Sequence, residues 1–191
     1  MNWPLPQDFN EAVQNPAFAF ADAYGIPVTI IRVFGSYGPR QNMSWWGGPQ
    51  SVFIDAILRG ETIPIHGDGQ QTRSFTFVSD TVGGIQKAVE NDAANGHILN
   101  IGSTHEISIL NLAKLIHRLC GVKHELKIEF VPYDEINGKK YEDVMRRVPD
   151  VSKASELLGF RARVGLEEGL LRTITWQKGI RAAEPDCVEV K

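Results

Sequence analysis

The sequence predicts an α/β fold, and three observations carry that prediction. Two apolar runs, residues 27–34 and 97–102, read as strands buried on both faces, the pattern of a parallel sheet. Helical patterns closed by Gly60 and Gly121 separate and follow them. Strands alternating with helices place the chain in the α/β class, merging into α+β.

In order along the chain, residues 1–15 carry early prolines and several amides with little apolar periodicity, and read as a loose lead-in. Pro16 opens a short helix to Tyr24, with Gly25 as its stop. The strand 27–34 contains Arg32, whose burial requires a carboxylate, backbone carbonyls or a ligand phosphate as partner. A helix from Ser51 to Arg59 places Phe53, Ala56 and Ile57 on one face. Ile63 to His66 is a short strand, which Pro64 assigns to an edge.

Ser74 to Val78 alternates, with Phe75 and Phe77 on one side. Asp80 is then expected to cap a helix whose apolar positions are Val82, Ile85 and Val89. Gly83 and Gly84 inside it imply close approach of another backbone. Ser108 opens the clearest helix, with Ile109, Leu112, Leu115, Ile116 and Leu119 inward. Leu126 to Phe130 alternates as a half-exposed strand, and 133–145 reads as a polar surface loop. Ser152 caps a helix ending at Gly159, and a last amphipathic helix runs from about Leu166 to Trp176.

Bulk properties exclude several function classes. A 42% hydrophobic, 23% charged chain has apolar mass enough for a core. A net charge of -3 argues against a general binder of nucleic acid or membrane surfaces, so any anion site is built from a few placed arginines. Neither a membrane span nor a signal peptide is expected. Cys120 and Cys187 lie outside metal-ligand spacing, and the five histidines form no HExxH pattern. The expected compartment is the cytoplasm.

The best site candidate is Gly67-Asp68-Gly69-Gln70-Gln71-Thr72-Arg73. Its glycines permit a tight turn with exposed amides, and Arg73 can grip a phosphate bidentately. A plain hairpin turn with a solvated arginine fits the same residues. Arg146-Arg147, ahead of Val148-Pro149, either completes a diphosphate clamp or is solvated charge. Tyr37-Gly38-Pro39-Arg40 leaves the end of a buried strand, where α/β proteins bind ligands. His66 precedes the Gly-rich turn, where its ring can stack on a base or simply face solvent. Trp45-Trp46-Gly47-Gly48 reads as loop-closing aromatic packing or a lid.

Taken in order, these segments resemble the C-terminal part of the extended short-chain dehydrogenase/reductase superfamily. The nearest branch is that of UDP-glucose 4-epimerase, UDP-glucuronate decarboxylase and dTDP-glucose 4,6-dehydratase. The resemblance runs over about residues 24–178, through Tyr24-Gly25-Ile26-Pro27, Arg32 to Arg40, Ile65 to Gly69, Gln71 to Phe75, Phe77 to Asp80, Leu99 to Gly102, Arg147 to Asp150 and Leu157 to Phe160. It implies a partial Rossmann-like sheet, its last strands only, with a smaller α/β substrate-binding lobe. Residues 1–23 then form a lead-in with a partial helix, and 179–191 a flexible tail.

The resemblance further implies a nucleotide-sugar ligand, a UDP-sugar first. Arg73 and Arg147 would meet the diphosphate or ribose, and His66 the base; Gln71 and Arg40 complete the set. The family's cofactor is NAD. Two departures bear on it. Counting back by the family's spacing from Gly25, the Tyr-x-x-x-Lys pair falls at Pro6 and Asn10, and Gly35 stands where the family has Asn. No Gly-rich dinucleotide loop is present in the sequence either. The expectation is therefore a sugar-nucleotide-binding half, inactive alone, with NAD binding absent or very weak, which associates with itself or with a separate N-terminal half. A non-catalytic binding or assembly module is the alternative.

Overall fold

The computed structural model describes residues 16–44, 47–132 and 144–183. Helix α1 spans 16–24, and Gly25 follows it at φ 64°. The chain continues through β1 (Ile30–Val33), β2 (Ser36–Tyr37), α2 (Pro49–Arg59), β3 (Ile63–His66), β4 (Thr72–Ser74) and β5 (Thr76–Phe77). Then come α3 (Val78–Val89), β6 (Ile98–Ile101), β7 (Glu106–Ser108), α4 (Ile109–Cys120) and β8 (Ile128–Val131). Strand β9 (Arg146–Arg147) precedes α5 (Ser152–Leu158) and α6 (Leu166–Ala183). The mixed α/β class is as the sequence predicts.

The strands form small sheets rather than one large one. Three parallel pairs, β1–β6, β2–β5 and β3–β8, accompany a three-stranded sheet in the order β7–β4–β9. In that sheet β4 runs antiparallel to β7 and parallel to β9. The larger core joins α2, α4 and α6 over β3 and the Tyr37, Phe75 and Phe77 rings. A smaller core gathers Leu99 and Ile101 of β6 with Ala88, Ala154, Leu158 and Phe160.

Helix ends follow their local chemistry. The Ser108 hydroxyl accepts the Asn111 amide at 3.2 Å, satisfying one orphan donor of α4. Gly60, in the left-handed region, lets the Gly60 and Glu61 amides bond back to the Ile57 and Ala56 carbonyls at the end of α2. Among the described residues no helix is long and apolar enough to cross a membrane.

Several expectations need correction. Strand β1 is not buried on both faces: Ile30 to Arg32 are half-buried and Val33 is exposed, because β6 is its one strand neighbour among the described residues. The strand 97–102, likewise read as fully buried, alternates: Leu99 and Ile101 are buried, Ile98 and Asn100 half-buried. Residues 74–77 are all buried, since the chain switches from one sheet to another there and both sides meet protein.

Helix α3 turns inward on Thr81, Gly84 and Ala88, leaving Val82, Ile85 and Val89 exposed. Gly84 is closely approached by the Ile101 and Phe160 side chains rather than by another backbone, since a Cβ there would lie 2.6 Å from Ile101, whereas one on Gly83 would meet nothing within 4 Å. Asp80 sits inside the first turn of α3 and accepts the Arg163 and Val164 amides, both at 2.9 Å. Ser152 is the first helical residue of α5 rather than its cap, and its amide bonds to the Asp150 carboxylate. Helix α6 continues to Ala183, so residues 179–183 of the expected tail are helical. The lead-in, Trp45-Trp46, most of the 133–145 loop and the end of the tail lie outside the described residues.

Candidate functional site

Strand β4 positions the site. Arg73 sits at its middle, and the parallel register pairs it with Arg147 of β9. Paired residues on neighbouring strands emerge on the same face of the sheet, with the strands under about 5 Å apart. The two arginine side chains therefore leave the same face of adjacent strands.

Both line a cleft of about 430 Å³ that also takes in His66 and Gln71. Its apolar wall comes from Phe53, Pro64, Ile65 and Phe75. Four of the five residues singled out from the sequence thus meet in one place. Arg40 does not join them: it is exposed, at φ 68°, beside a separate hollow with Tyr37 and Gln41.

The two arginines differ in setting. Arg73 is buried, and its Nη1 donates to the Thr72 carbonyl at 2.8 Å and the Val144 carbonyl at 2.6 Å, which fixes the plane of the fork. Arg147 is exposed. Its strand is held to β4 by the Thr72 amide on the Met145 carbonyl at 2.7 Å and by Glu106 on β7.

The Glu106 carboxylate accepts from the Thr72 hydroxyl at 2.6 Å and from Arg146 Nε and Nη2 at 3.1 and 3.0 Å. Those bonds, Thr72 first and then Arg146, hold its carboxyl below the usual range. Glu106 escaped the sequence reading, because a three-residue strand is too short for its periodicity to register.

Gln71 is buried at 4% exposure. Its Nε2 donates to the His66 carbonyl at 2.8 Å, and its Oε1 is buried with no partner among the described residues. The side chain therefore couples the two residues that flank the Gly-rich turn.

That turn is not a hairpin, and two of its amides are already bonded. Strands β3 and β4 belong to different sheets. The Gly67 amide donates to Val131 and the Gln70 amide to the Asp68 carboxylate, so both are already bonded. A Cβ on Gly69 would sit 3.0 Å from Ile65 and 3.1 Å from Leu110. The glycines let the chain pass beneath the start of α4 and enter β4 with Arg73 facing the cleft.

Tyr37 lies outside this chemistry. It is buried, and its hydroxyl donates to the Leu166 carbonyl at 3.2 Å. Burial, then the carboxylates of Asp80 and Glu168, push its pKa above the ordinary phenol range, so it is a structural tyrosine.

Comparison with known proteins places the chain. A family model described as GDP-mannose 4,6 dehydratase matches residues 12–173. A UDP-N-acetyl-alpha-D-glucosaminuronate decarboxylase from Bacillus cytotoxicus is 41% identical over 156 residues. The chain belongs to the NAD-dependent nucleotide-sugar epimerase/dehydratase family.

The match to the Bacillus cytotoxicus enzyme covers 82% of this chain and 48% of that protein. Among solved structures, a UDP-glucose 4-epimerase from Thermotoga maritima with UDP-glucose superposes at a TM-score of 0.78 and 31% identity, over 88% of this chain and 52% of that one. A UDP-glucuronic acid 4-epimerase from Bacillus cereus, in complex with UDP-glucuronic acid and NAD, gives 0.77 and 27%, over 87% and 50%. This family member spans about half the length of those relatives.

A Cβ on Gly35 would lie 2.2 Å from the Ser74 carbonyl, and one on Gly38 2.7 Å from Val78. Close packing of the chain that follows β1 therefore requires glycine at both positions.

Proposed function

We propose that this chain is the nucleotide-sugar-holding part of a family enzyme, and that the Arg73–Arg147 cleft takes the diphosphate of a UDP-sugar. The parallel register that sets the two arginines side by side carries this reading. Two guanidinium forks on adjacent strands match a diphosphate, and charge-assisted N–H to phosphate bonds are about twice as strong as neutral ones. The apolar wall of Phe53, Pro64 and Phe75, with His66 at its rim, suits a pyrimidine ring. Gln71 Oε1 offers an acceptor to a base or ribose donor. Both solved relatives described above were crystallised with UDP-sugars.

Hydride transfer is assigned to residues other than the described ones. Tyr24 is exposed on α1 and Tyr37 is bonded to Leu166, so neither stands as an acid/base over the cleft. That observation also favours a second reading, a binding module without chemistry of its own. The buried free thiol of Cys120 suits a reducing, cytoplasmic setting.

Calorimetric titration with UDP tests the cleft. Saturable binding is expected, weakened at least tenfold by Arg73→Ala, with NAD giving no heat under the same conditions. Absence of UDP binding, or an Arg73→Ala variant that binds as well as the parent, rejects the cleft as the diphosphate site. Tight NAD binding by the 191-residue chain rejects the division of labour.

A further inference from the structure

Away from the cleft, strand β8 presents an open edge. The Lys127 carbonyl accepts the Ile63 amide and the Val131 carbonyl accepts the Gly67 amide, both at 2.9 Å. Backbone polar groups alternate between the two edges of a strand, so Lys127, Glu129 and Val131 turn theirs to β3. Those of Ile128 and Phe130 turn to the far edge, where no strand among the described residues meets them. An edge of that kind is a template for a further strand.

The residues along this edge complement themselves. Leu126-Lys127-Ile128-Glu129-Phe130 alternates apolar and charged side chains, with one charge of each sign on either side of Ile128. Ile128 and Phe130 share the face of Ile63 and Ile65, with which they pair. Leu126 and Ile128 pack, half-buried, against the larger core. Phe130 is 52% exposed, beside an apolar hollow with Gly67 and Pro132. Lys127 and Glu129 are exposed, and alternation puts them on the opposite face. The Lys127 Nζ donates to the Gly60 carbonyl at 3.0 Å, a neutral acceptor.

We propose that β8 pairs antiparallel with β8 of a second copy of this chain, about a two-fold axis through Ile128. In that register Ile128 meets Ile128, Leu126 meets Phe130, and Lys127 meets Glu129 on each side of the axis. The bonds across the axis use the outward backbone groups of residues 126, 128 and 130. The charged pairs then fall at non-hydrogen-bonded positions, where side chains come closest. Sliding by two residues sets Lys127 against Lys127 or Glu129 against Glu129, and like charges directly opposite are destabilising. Sliding by one sets outward groups against inward ones and breaks the ladder. Charge and hydrogen bonding thus select one register, and it is the self-matching contact that a two-fold dimer requires. Pro64 and His66, which line the cleft, come to lie on the same side of the joined sheet in both copies. One strand pair buries less than the roughly 1,600 Å² of a standard interface, so the dimer is reversible. The pairing is independent of the ligand assigned to the cleft.

Sedimentation velocity on the 191-residue chain, from about 5 µM to about 500 µM, tests the pairing. A monomer–dimer equilibrium is expected, with the Ile128 and Phe130 amides exchanging about tenfold more slowly in the dimer. Lys127→Glu and Glu129→Lys should each weaken association about tenfold, because either one sets like charges opposite each other on both sides of the axis. An equimolar mixture of the two variants should regain the parent affinity as a heterodimer, since every facing pair is then of opposite sign. The double reversal Lys127→Glu/Glu129→Lys should regain it alone. Such recovery separates lost pairing from lost folding. Arg73→Ala should dimerise as the parent does, so failure of the cleft leaves this inference standing. The inference is overturned if the chain stays monomeric throughout, if the single reversals dimerise like the parent, if neither the mixture nor the double reversal recovers, or if Ile128 and Phe130 exchange equally fast in monomer and dimer.

Discussion

Arg73 and Arg147 differ in how far the protein decides their orientation. Two carbonyls clamp Arg73 within the fold, whereas Arg147 depends on the attachment of its short strand. Glu106 supplies that attachment through Thr72 and Arg146 without lining the cleft itself. Glu106→Gln should therefore weaken UDP binding about threefold, the scale of an exposed ion pair, and leave the melting temperature nearly unchanged. Titration of both proteins at low and high salt checks this, since the difference should shrink as salt screens the pair. An equal loss of affinity and stability would point to general unfolding instead. At this scale much of the site was legible: His66, Gln71 and Arg73 lie within one short stretch, so their meeting needed only a turn and a strand. The partner strand of Arg147 and the Val144 carbonyl depend on contacts across more than seventy residues, which no local pattern encodes. Composition does not say which amides of the glycine turn are already bonded, as those of Gly67 and Gln70 are.

At the level of elements, the existence of the helices was readable and their facing was not. The Val82, Ile85 and Val89 stripe has helical period, as the sequence shows, but α3 buries the neighbouring stripe. Facing depends on what else packs nearby, and the described residues offer α3 only one side of cover. The turn after β1 is the converse case, where a departure from the family's residue has a local cause. Gly35 stands at φ 51°, with its carbonyl accepting the Thr76 amide at 2.9 Å and the Ser74 carbonyl oxygen crowding the space a Cβ would fill. Restoring the family's residue, Gly35→Asn, puts a Cβ 2.2 Å from that oxygen, although Asn tolerates the positive φ. We expect a loss of about 1–3 kcal/mol in unfolding free energy, the range for overpacking a tight site. Urea denaturation measures it. An unchanged midpoint would mean that β2 and β4 separate freely.

Across the whole molecule, one core ties the cleft to the far helices, and two titrating groups report on it. Tyr37 and Cys120 belong to the same apolar cluster, which Phe53, Ile65 and Phe75 carry up to the wall of the cleft. Burial pushes the Cys120 thiol from 9.0 up to about 11, against a smaller opposing pull from Lys178, whose Nζ donates to the Cys120 carbonyl. Unfolding returns the thiol to water, where it ionises above about pH 9. Between pH 9 and 11 the folded protein therefore holds a proton that the unfolded chain has lost, and stability must fall as pH rises. Below pH 9 both states keep the proton and this contribution is complete. Tyr37, ordinarily ionising at 10.0 and raised in the fold, acts with the same sign from a later onset. Denaturant midpoints measured from pH 7 to 11 should stay level to about pH 9 and then decline. Cys120→Ala should delay that decline until Tyr37 begins to contribute near pH 10, with the UDP affinity of the cleft unchanged at pH 7. If the variant and the parent decline together from pH 9, the thiol is solvated in the folded chain and the core does not close over α4 as described.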